Sequence, residues 1–97
     1  MEDFFVSRVS HQGRAFEFHP RRKMHYRHDE ACRCGVVEDQ ALNICVFANS
    51  NQEALALIGE EVAMLWDEYA MEDDEKLSPT AQELKAHLLQ AVRPAGV

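Results

Sequence analysis

The residues with the widest chemical reach fall in one short stretch, His25-x-x-His28-x-x-x-Cys32-x-Cys34. Imidazoles and thiolates bind zinc when three or four of them converge, and Cys-x-Cys can supply two. The spacing matches no standard finger or ribbon. On a strand, His25 and His28 are an odd number of positions apart and point to opposite faces. One site cannot then take both histidines with Cys32 and Cys34. The expectation is no metal and no cofactor, with Cys34 a small apolar core residue. Three cysteines are an odd number, so Cys32, Cys34 and Cys45 are expected to be reduced, in a reducing, cytoplasmic setting. No Gly-x-Ser-x-Gly, phosphate loop or paired His/Asp arrangement supports a reaction. Asp73, Asp74 and Glu75 read as a solvated connector. No catalytic residue is assigned, and the chain is not expected to be an enzyme.

Two candidate surfaces remain. Lys23, His25 and Arg27 alternate along one strand, with Arg33 on a neighbour, and a row of cations can bind an anion. The competing role is a charged strand that discourages edge-to-edge aggregation. The second surface is helical. Leu57, Met64 and Met71 recur one heptad apart, flanked by Glu60, Glu61, Asp67 and Glu68. An apolar stripe rimmed with acids suits a protein partner, and methionines suit adaptable contacts.

The elements that position these residues follow from periodicity. Residues 1–48 alternate with a period of two. Phe4-Phe5-Val6 opens the first strand, and His11-Gln12-Gly13-Arg14 reads as a turn. Phe16 and Phe18 alternate with Glu17 and His19, and Pro20 is expected to end that strand. Met24 and Tyr26, Cys34 and Val36, then Leu42, Ile44 and Val46 complete the expected inner face. Glu38-Asp39-Gln40 reads as a turn. Cys45 and Phe47 face outward.

Residues 50–93 switch to a period of 3.6. Ser50-Asn51-Gln52-Glu53 fits a capping box. The helix that follows runs to about Met71, with Leu55, Ile58, Val62, Leu65, Trp66 and Tyr69 on one face. A row of small residues, Ala56, Gly59, Ala63 and Ala70, is expected to meet the second helix. That helix starts at Ser78-Pro79, presents Ala81, Leu84, Leu88, Leu89 and Val92, and stops at Arg93-Pro94. The fold class is α+β: an antiparallel meander of four or five strands followed by two helices on one face. The 97 residues make a single domain.

The net charge is −7 and unevenly spread. Residues 1–37 sum to +2 and residues 38–97 to −9. The asymmetry suggests one face for a basic partner and another for an anionic one. Nucleic acid is not expected as a partner, because the chain is acidic and Tyr26 points away from the cations. No apolar run approaches the ~20 residues of a membrane span, and Met1-Glu2-Asp3 is too acidic to open a signal peptide.

A strand, Ile44-Cys45-Val46-Phe47-Ala48-Asn49, feeding Ser50-Asn51-Gln52-Glu53-Ala54 resembles the HicB-like antitoxin domain, with its "Thr-x-Glu-Glu-Ala" helix start. The resemblance covers residues 42–93. The later stretches Leu65-Trp66-Asp67-Glu68-Tyr69-Ala70 and Asp73–Lys85 resemble small uncharacterised bacterial proteins. The resemblance implies a toxin-neutralising, oligomeric, sometimes DNA-binding protein. No helix-turn-helix or ribbon-helix-helix segment follows the second helix, so DNA binding is not expected. The expected function is a non-enzymatic interaction module, a homodimer binding a basic, toxin-like protein through the acidic helical face. Two alternatives stand beside it: a phage-type inhibitor mimicking nucleic acid through the −9 half, and a small metal- or ligand-binding domain.

Overall fold

A computed structural model describes residues 2–95. The outermost positions of the expected 1–97 domain lie outside them. Five strands and two helices run in the order β1 (Glu2–His11), β2 (Arg14–Asp29), β3 (Cys34–Asp39), β4 (Ile44–Ala48), α1 (Asn51–Leu65), α2 (Pro79–Ala91) and β5 (Val92–Ala95). The first four strands form an antiparallel meander in sequence order, and β5 pairs with the first half of β2. Both helices pack on one face. α1 lies across β1, β4 and β2, and α2 lies over β2 and β5. The α+β class read from the sequence is the observed one.

The β1–β2 hairpin turns through Gln12 and Gly13 at φ of 51° and 79°. Positive φ at both central residues twists a two-residue turn in the sense the strands need. β2 does not end at Pro20, as the sequence suggested. Arg8 pairs with Glu17 and Val6 with Arg22, so residues 18–21 bulge opposite Ser7. Within that bulge the missing proline N–H leaves no ladder bond unmade.

β3 also departs from expectation. Val37 pairs with Tyr26 and Val46 on the helix-covered face, while Val36 pairs with Arg27 and Phe47 on the other. Cys34 and Val36 therefore lie on the outer side, though both are buried. The expected turn at residues 38–40 is displaced: β3 runs through Asp39, and the turn is closed by the Asn43 amide donating to the Gln40 carbonyl at 3.1 Å. Asp39 is the one buried charged residue among those described. Its carboxylate accepts from Arg22 Nε at 2.6 Å, Arg22 Nη2 at 3.1 Å and the Leu42 amide at 3.2 Å. Three donors offset its desolvation.

The helices start where capping chemistry places them. Ser50 Oγ accepts from the Glu53 amide at 3.1 Å, and Glu53 returns a bond from the Asn49 amide at 3.3 Å. Ser78 Oγ accepts from the Ala81 amide at 3.2 Å, with Pro79 in the first turn. α1 continues into a π-helical turn over Trp66–Ala70, in which the Met71 amide donates to the Trp66 carbonyl. Ile58, Val62 and Leu65 are buried, and Leu55, Trp66 and Tyr69 pack at the core margin. Within the small-residue row Gly59 meets the sheet, not α2: a Cβ there would collide with the Ser10 carbonyl of β1. Ala56 is exposed. α2 ends at Ala91 rather than at Pro94. Val92 is buried at the start of β5, while Leu89 is exposed.

Candidate functional site

The stripe on α1 is less uniform than its spacing implied. Leu57 is half-buried against the core, whereas Met64 is 45% and Met71 70% exposed. The π turn intervenes between the two methionines and breaks their helical heptad register. Glu60 and Glu68 are exposed and enter no ion pair among the described residues. Glu61 is half-buried. Asp67 is committed internally: it accepts from Arg14 Nη1 at 2.8 Å and Nη2 at 2.9 Å. The paired guanidinium holds the Asp67 carboxyl below its ordinary range. Arg14 also lies 5.3 Å from the ring centre of Phe16, which packs on Trp66. The surface left open on this helix is thus Glu60, Met64, Glu68 and Met71.

The cation row is largely neutralised. Lys23 lies 3.9 Å from Asp3. Arg27 donates through Nε to Glu38 at 2.9 Å and lies 3.6 Å from Asp29. His25 faces Asp3 on one side and Glu38 on the other. Arg33 does not join the row. It sits in the β2–β3 turn at φ 54° and lines a cavity at the start of α1.

The outer sheet face carries Phe47 at 54% exposure, beside exposed Cys45. Partial shielding of the sulfur, then Glu38, pushes the Cys45 thiol up. Arg21 lies 4.2 Å over the Phe5 ring on the same face. Cys32 and Cys34 are disulfide-bonded, which corrects the expectation that all three cysteines are reduced. The odd count required one free thiol, and that thiol is Cys45. His25 and His28 lie three positions apart on β2 and face opposite ways. Among the described residues no group of three or more His, Cys, Asp or Glu is placed to hold a metal. Among the described residues no helix is long and apolar enough to cross a membrane.

Sequence reasoning missed the cavity beside Arg33. It is lined by Tyr26 and His28 from β2 and by the first turn of α1. The signal available was Gly35, whose missing side chain makes room for the Tyr26 ring; periodicity is blind to it. Comparison of the chain with protein-family models, with curated proteins and with solved structures found no match.

Proposed function

We propose that this chain is a non-enzymatic interaction module that docks a basic protein on the open side of α1. The observation that carries this reading is the pair of exposed methionines, Met64 and Met71, beside Glu60 and Glu68, exposed acids with no ion-pair partner among the described residues. Burying the two methionines on a partner contributes at most roughly 1.5–3 kcal/mol each, and less at Met64, which is only 45% exposed to begin with. The acids act mainly on association rate, since rim charges steer encounter more than they hold a complex. The resemblance of residues 42–93 to the HicB-like pattern supports a basic, toxin-like protein as the partner.

Affinity capture from the source cell, repeated with Met64→Asp/Met71→Asp, tests it. A basic protein retained by the native chain and lost with the folded variant is the expected result. Leu57 is left intact because it packs on the core. Equal capture by both chains defeats the assignment. Binding through the apolar stripe should persist in salt, whereas a nucleic-acid mimic should lose its partner steeply.

A second reading has its own observation. Exposed Phe47 and Cys45 on the open sheet face favour self-association there. Light scattering at high concentration should then give about twice the 11.1 kDa chain mass, and Phe47→Lys should return it to the monomer value. A monomeric native chain defeats the homodimer and leaves the α1 face untouched.

A further inference from the structure

The β2–β3 turn and the first turn of α1 enclose a cavity of about 160 Å³. Its wall includes Tyr26 and His28 from β2, Arg33 from the β2–β3 turn, and Ser50 and Asn51 from the helix start. Among the described residues no Asp or Glu lines it, in a chain with 17 acids against 10 bases. Neither Arg33 nor His28 enters an ion pair among the described residues, in contrast to Arg27 two positions along the strand from Asp29.

The backbone that carries each donor is set by a separate part of the fold. Tyr26 packs against Gly35, where a Cβ would sit 2.6 Å from Cε1 and 3.0 Å from the phenol oxygen. His28 stands opposite Gly35 in the β2–β3 ladder. Arg33 has φ 54°, a conformation that a non-glycine residue keeps only where its surroundings impose it. The Cys32–Cys34 bond joins the residues on either side of it. Ser50 Oγ already serves the Glu53 amide, and the amides that open a helix have no acceptor within it.

We propose that this cavity binds a small phosphate-type oxyanion, with Arg33, His28 and Tyr26 as donors and the Cys32–Cys34 bond holding Arg33 in place. A guanidinium, an imidazole and a phenol on one cavity wall, with no described carboxylate among its lining residues, suit an oxyanion. Donors arriving from a turn, a strand and a helix start suit a tetrahedral group with oxygens on several sides better than a planar carboxylate. A free phosphate ion and the phosphate end of a small monoester share this chemistry.

The test is titration of the full chain with inorganic phosphate, followed by two-dimensional NMR at constant ionic strength. Saturable shifts at Arg33, Gly35 and Asn51 at millimolar phosphate are expected. Arg33→Asn, which tolerates the same backbone conformation, should weaken binding about tenfold or more, the loss of one charge-assisted bond. Arg33→Gly should match it, so a folding defect in one variant does not obscure the result. His28→Gln should weaken binding by a smaller factor. Dithiothreitol breaks the disulfide to two thiols and is itself oxidised to its cyclic disulfide; the reduced chain should bind severalfold more weakly. Phosphoserine binding more tightly than phosphate assigns a monoester, and equal binding assigns the free ion. Shifts reproduced by chloride, or affinity unchanged in both folded Arg33 variants, overturn the site. Affinity unchanged on reduction overturns the role given to the disulfide.

Discussion

Arg14 and Arg22 lie on the same strand, and each grips an aspartate with two hydrogen bonds of similar length. Arg14–Asp67 is exposed on both sides. In Arg22–Asp39 the aspartate is only 7% exposed and carries a third donor, the Leu42 amide. The chemistry is one; the surroundings are not. An exposed pair works against water and salt and contributes little. A buried carboxylate has no water to return to, so removing one partner leaves the other uncompensated. The buried clamp fixes the fold at the end of β3. The exposed clamp ties the tip of the β1–β2 hairpin to the π turn and can be released at low cost.

The largest effect is therefore expected at Asp39. Asp39→Ala strands Arg22 and leaves the Leu42 amide without its acceptor. Breaking a buried pair costs about 3–5 kcal/mol; the arginine can turn partly to solvent, so about 3 kcal/mol is expected in urea denaturation. A loss as small as that of Asp67→Asn would break the distinction by burial.

The next effect asks what holds the helical half on the sheet, if not Arg14–Asp67. Gly59 lets α1 lie against the β1 backbone at Ser10. Gly59→Ala gains about 1 kcal/mol of helix propensity, but overpacking costs about 1–3 kcal/mol. The clash is with a backbone carbonyl that cannot swing aside, so the cost should win. A thermal melt lower than that of the native chain is expected. A higher melt would mean that α1 can shift on the sheet without loss.

These two residues also mark what the sequence made legible. Helix starts were readable because capping is local: Ser50 and Ser78 occupy the positions their neighbours required. The alternation of β4 was readable for the same reason. Pro20, Val36 and Asp39 were misread because their roles depend on register, and register is set across strands. A bulge opposite Ser7 accommodates the proline, and a one-residue offset turns Val37 inward in place of Val36. The small residues of α1 announced a close approach correctly, but nothing local says that β1 rather than α2 lies opposite. On the functional side, the acids around Met64 were visible, while the capture of Asp67 by Arg14, far off in sequence, was not.

That capture gives the smallest effect and the sharpest test of the comparison. Asp67 in the folded chain titrates below its ordinary value because Arg14 hydrogen-bonds its charged form. A carboxyl lowered on folding stabilises the native state above its unfolded pKa, about 3.9. The contribution is lost as pH falls through the lower folded value. The Arg14 guanidinium is raised by the same bond, a change that matters only at pH far above the working range. Asp67→Asn should therefore lower stability slightly and evenly from about pH 5 to pH 8. The gap between native and variant should narrow below about pH 4 and close once the pH has fallen below the lowered folded value. High salt at neutral pH should shrink it too, because both side chains are in water. Paired melts of the two chains across pH and salt read this directly. A gap that is flat to pH 2 and indifferent to salt would mean that Asp67 acts through packing near Trp66, and that the two clamps differ in kind rather than in burial.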